Sequence, residues 1–182
     1  MPYTLGDVIF FPKVYLDKSS ISDLQYTLFH ELIHILQRKY PKQFDVVSNQ
    51  ILGFRKMKVN FDVSIVDRPV FYSNPDGKQL LEDAWVFQNF MPVMLLHENQ
   101  KTYQKGYFEI IDTHDPSFGQ IVKVTRKCPS SIYGDSFPEC SPSHMYHPYE
   151  ILADTGAKYI IFGKTKNQTL DLWWKHFFSR KI

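Results

Sequence analysis

Apolar and polar positions change their spacing twice along this chain. They repeat with a helical period up to residue 53, turn to a strand pattern from about Phe54 to Val124, and become helical again after Pro148. Val8-Ile9-Phe10-Phe11, ended by Pro12, predicts a short buried strand. Ser19-Ser20-Ile21-Ser22-Asp23 then offers N-cap side chains for a helix that runs to about Tyr40, where Pro41 stops it. Gln37, Arg38 and Lys39 put polar and basic groups in its last turn, which suits the helix dipole. A shorter helix is predicted from Lys42 to Leu52, closed by Gly53.

Strand composition follows at Val63–Val66, Val70–Tyr72, Trp85–Phe87, Val93–Leu96, Tyr107–Ile111 and Ile121–Val124. Asn74-Pro75-Asp76-Gly77 is a turn in which Pro sets φ and Gly supplies the left-handed residue. Gln79 to Trp85 fits a helical turn as well as a strand, and Cys128 to Met145, rich in Pro, Ser and Gly, reads as an irregular loop. Pro148 suits the first position of a helix over Tyr149–Phe162 that ends at Gly163. A last helix, about Thr169–Arg180, turns Leu170, Trp173, Trp174, Phe177 and Phe178 to one apolar, core-forming face. The expected fold is α+β, one domain over residues 1–182, with an active-site helix, a mainly antiparallel sheet and a C-terminal helical pair.

Apolar residues at 43% and charged residues at 22% of the 182 positions belong to an ordinary globular protein with a real core. A net charge of +2, with basic residues in short clusters such as Arg55-Lys56-Met57-Lys58, argues against a nucleic-acid partner. No apolar stretch reaches membrane-spanning length, and Met1–Asp7 lacks the basic start and apolar core of a signal peptide. The expectation is an intracellular protein with no membrane partner. Cys128 and Cys140 are then two free thiols, a disulfide closing their loop being the alternative.

Candidate chemistry concentrates in His30-Glu31-Leu32-Ile33-His34, an H-E-x-x-H pattern inside an apolar run. On a helix, positions i and i+4 share a face, so His30 and His34 can present two imidazoles to one cation. Glu31, about 100° further round, can reach a water there without ligating the ion. The alternative is two surface histidines four apart. It fits poorly, because the surrounding residues are apolar on every side and a buried His-Glu-His set is costly unless something satisfies it.

A catalytic zinc takes three protein ligands and leaves one position for water. Metzincins continue with a Gly at position 37 and a His at 40; this chain has Gln37 and Tyr40 and is excluded from that class. Glu150 supplies a carboxylate on the later helix, with Asp154 one turn on and able to reach the far nitrogen of a ligating histidine. The competing assignment makes Glu150 a dipole-favoured acidic residue of a first turn and Asp154 a surface residue, and His144 and His147 are rival third ligands.

These residues carry a resemblance. The helix around His30–His34 resembles the zincin consensus position by position, and Glu150-x-x-x-Asp154 resembles the second motif of gluzincins, the thermolysin-like branch. Phe29–His34 with Gln37-Arg38, Asn74–Gly77, and Tyr146-His147-Pro148-x-Glu150-Ile151 together resemble zinc metallopeptidase-like proteins of large DNA viruses over most of the chain. The resemblance implies His30, His34 and Glu150 as Zn2+ ligands, Glu31 as general base, and a host cytoplasm or virion location. Residues 35–149 separate the two motifs, far more than in thermolysin-like enzymes, and only residues 1–29 precede the first. The substrate-binding sheet therefore has to come largely from the segment after the motif.

The implied activity is hydrolysis of a peptide or protein substrate by zinc-activated water, with Glu31 moving the proton. Tyr146, His147, Tyr149 and His144 are candidates to stabilise the oxyanion, and an extended peptide would add to a sheet edge from the β-rich middle. A zinc-binding but inactive structural or host-interaction module is the alternative from another class. A non-peptidase metallohydrolase, or an iron site using His147 with Glu150, is a third.

Overall fold

The structure, a computed structural model, describes residues 2–60, 70–72, 84–96, 103–112, 118–125 and 147–181. The strand expected at Val63–Val66, the turn at Asn74–Gly77, the loop from Cys128 to Met145 with both cysteines, and His144 and Tyr146 lie outside the described residues. The elements are β1 (Tyr3–Leu5), β2 (Val8–Phe10), α1 (Lys13–Lys18), α2 (Ile21–Lys39), α3 (Pro41–Gln50), β3 (Phe54–Asn60), β4 (Val70–Tyr72), β5 (Ala84–Phe87), β6 (Phe90–Leu96), β7 (Tyr103–Asp112), β8 (Phe118–Thr125), α4 (Pro148–Phe162) and α5 (Gln168–Lys181).

Local chemistry explains the helix ends. Ser20 and Asp23 form a capping box, Ser20 Oγ accepting from the Asp23 N–H and Asp23 Oδ2 from the Ser20 N–H, worth about 1 kcal/mol to α2. Pro41 begins α3 directly after Tyr40, the C-cap of α2. His147 is the N-cap of α4, Pro148 its first residue, and Gly163 closes it with φ +72°. Asn167 caps α5, its Oδ1 accepting from the N–H groups of Thr169 and Leu170.

β1 and β2 form a separate antiparallel hairpin beside α2, tied there by Arg38 Nη2 donating to Gly6 O at 2.6 Å. The strand expected at Val8–Phe11 exists as β2, but it is not buried. With two strands and one covered face, the hairpin buries Thr4 and leaves Tyr3, Leu5, Val8 and Phe10 exposed.

The larger sheet has the order β4-β6-β5-β3-β8-β7, and a further β6–β7 pairing curls it back on itself. The expectation of a mainly antiparallel sheet needs amending: β3 pairs with β8 in parallel, making the sheet mixed. Gly119 on β8 lets neighbouring strands pack closely: a Cβ there would sit 2.5 Å from Ile110 Cγ2 and 3.0 Å from Met57 Sδ. A side chain there would have to displace Ile110.

Between sheet and helices lies a core that includes Ile33, Phe44, Phe54, Trp85, Leu152 and Trp174. Gly156 lets α4 enter it: a Cβ at that position would lie 2.8 Å from the Trp174 ring and 2.9 Å from Ile33 Cγ1. α4 is thereby wedged against α2, with its first turn beside the H-E-x-x-H turns. Among the described residues no helix is long and apolar enough to cross a membrane.

Candidate metal centre

Polar contacts between α2 and α4 descend along α4 as they climb α2. Tyr26 donates through its hydroxyl to Asp154 Oδ1, His30 and His34 meet Glu150, and Gln37 Nε2 donates to Tyr149 O at 2.7 Å. Tyr26, His30, His34 and Gln37 repeat at three- and four-residue spacing, so one face of α2 carries the whole row. His30, His34, Glu150 and Gln37 are between 2% and 7% exposed, and Asp154 is fully buried.

Three donor atoms converge at the centre of that row. His30 Nε2 lies 3.1 Å from His34 Nε2 and 3.2 Å from Glu150 Oε2, and His34 Nε2 lies 3.3 Å from Glu150 Oε1. A tetrahedral site with bonds of about 2.0–2.1 Å has donor–donor edges of about 3.3 Å, so the spacing suits a small divalent cation. The donor set, two imidazoles and a carboxylate, is one that such an ion accepts. Among the described residues this is the group of three that could hold a metal ion.

Electrostatics agree. Burial alone would raise the Glu150 carboxyl, but the His34 charge and the hydrogen bonds from His30 and His34 outweigh it and hold the group well below the usual carboxylate range. A buried anion is thus ready for a cation.

His30, His34 and Glu150, predicted as ligands, are brought together. Glu31 is buried beside them on α2. Asp154 was expected to orient a ligating histidine; its oxygens accept from Tyr26 and from Lys158 Nζ at 2.8 Å. His147, a rival third ligand, instead uses Nδ1 to accept the Tyr149 N–H at 3.1 Å and so caps α4. Desolvation lowers its pKa to about 4 against the raising effect of Glu150, so the ring is neutral at neutral pH. Tyr149 donates its hydroxyl to Asp45 Oδ1.

Sequence reasoning missed two residues of the row. Gln37 Oε1 sits 2.7 Å from His34 Nδ1, and Tyr26 holds Asp154. Their signal was present: Tyr26 stands four before His30 and Gln37 three after His34, on the ligand face of α2.

In comparisons with known proteins, no family model matches the chain, and no curated protein or solved structure matches it either.

Proposed function

We propose that the chain is a zinc-dependent hydrolase of peptide bonds. The observation that supports this most is the convergence of His30, His34 and Glu150 at tetrahedral spacing on a helix that carries Glu31 next to the first ligand. Those three residues would hold Zn2+, which would supply Lewis acidity and lower the pKa of water toward neutrality.

The chain's own groups do the rest. Glu31 accepts the proton of the attacking water and delivers it to the leaving amine. His147 is assigned as the donor to the developing oxyanion. Because its Nδ1 accepts the Tyr149 N–H, the neutral ring carries its proton on Nε2, the atom that would donate. The sheet's curl reduces the edge it offers, and the β1–β2 hairpin beside α2 is the better place for an extended peptide to add.

A second reading, a metal-holding interaction module without catalysis, draws on the apolar outer face of that hairpin, where Leu5 is 69% exposed. The two separate at the fourth ligand position. With a peptide library as substrate, Glu31→Gln keeps zinc and loses turnover by a factor of about 100 or more, and a hydroxamate binds through the metal. Turnover by Glu31→Gln equal to wild type contradicts the mechanism, and a zinc-loaded protein that refuses hydroxamate favours the module.

A further inference from the structure

We infer that Gln37 is a positioning residue that fixes His34 in its metal-binding tautomer. The inference rests on the metal-centre reading and adds a residue to it. A backbone carbonyl only accepts hydrogen bonds, so the Gln37 atom that meets Tyr149 O at 2.7 Å is the amide nitrogen. That contact orients the amide and turns Oε1 to His34 Nδ1, also at 2.7 Å. An amide oxygen is equally unable to donate, so Nδ1 carries the proton. With its Nδ1 proton held there, the imidazole would offer a bound cation the lone pair of Nε2, the atom that faces His30 Nε2 and Glu150 Oε1.

The opposite tautomer sets the Nδ1 lone pair against Oε1 at 2.7 Å, beside a glutamine that is only 2% exposed. Buried lone pairs in opposition have no water to relieve them. One amide thereby couples two elements: it aims the second histidine of α2 and grips α4 at the residue before Glu150. The ligand from one helix and the carboxylate from the other are held in register by the same side chain.

A merely structural strut predicts something different. Gln37→Glu still accepts from His34 Nδ1–H but cannot donate to Tyr149 O; Gln37→Leu does neither. Zn2+ affinity, read by competition with a chromophoric chelator, falls about 10- to 100-fold in Gln37→Leu and stays near wild type in Gln37→Glu. The metal-free melting temperature falls in both. In parallel, the long-range 1H–15N spectrum of the metal-free wild type shows His34 protonated at Nδ1. Equal zinc affinity in wild type and Gln37→Leu overturns the inference, as does a Gln37→Glu loss of tenfold or more. A spectrum with His34 protonated at Nε2 alone also overturns it. Wild type with Nδ1 protonated that still takes no zinc contradicts the metal-centre reading and leaves the tautomer assignment standing.

Discussion

α4 buries two faces of opposite chemistry. One joins the apolar core through Ile151, Leu152 and Gly156, against Trp174 of α5; the other meets α2 through Glu150 and Asp154. On the first face each large side chain leaves water to gain of the order of 1.5–3 kcal/mol. On the second, buried charges and imidazoles give up hydration and recover it only from one another. A chain selected for stability alone would fill both faces the same way. The polar face is the one that brings together the three side chains that could hold a metal ion.

Three variants probe that contrast. Trp174→Ala empties the centre of the aromatic cluster formed with Phe44, Phe177 and Phe178, and should cost about 3–5 kcal/mol in chemical denaturation. Zinc affinity measured on the folded fraction should not change. The triple variant His30→Leu, His34→Leu, Glu150→Leu should do the reverse, abolishing metal binding while leaving the metal-free protein as stable as wild type or about 1–4 kcal/mol more so. Unfolding of that variant would make the polar row a folding element after all.

The smallest effect concerns His147. Its folded pKa of about 4 lies below its unfolded value, so between those values the unfolded chain binds a proton that the folded one does not. The contribution is complete above the ordinary histidine pKa of about 6.5 and is lost as pH falls toward 4. His147→Asn, which keeps an N-cap acceptor, should flatten this part of the metal-free stability–pH profile. An unchanged profile would mean that the ring is solvated.

Much of the helical half was legible because its signals are local. The Ser20–Asp23 box, Pro41, Pro148 and Gly163 each act within a few residues, and the helices they bound match the predicted ones within about two positions. β3 was missed because Arg55, Lys56 and Lys58 look like a solvated basic cluster. In the fold, Lys56 is exposed, pairs with Asp45 and lies over the Trp85 ring, while Phe54, Met57 and Val59 turn inward. α1 and β1 are too short to leave a periodic signal. The buried state of Val8 and Phe10 was misjudged because an apolar run says nothing of how many strands will cover it.

At the site, residue types and helix spacing were enough to find His30, His34 and Glu150. They could not supply Gln37's amide orientation or the Tyr26–Asp154 contact, both of which depend on where α4 crosses α2. His147 shows the same limit from the other side. A histidine three residues before a candidate ligand fits both a metal role and a cap, and the sequence does not show that its Nδ1 accepts the Tyr149 N–H.

Everything proposed for the site depends on His30, His34 and Glu150 binding one divalent ion. Elemental analysis of purified wild type beside His30→Ala and Glu150→Ala tests it most directly. Close to one zinc per wild-type chain is expected, with its loss from both variants. A wild-type protein that holds no metal after incubation with zinc, or variants that retain it in full, would contradict that assignment.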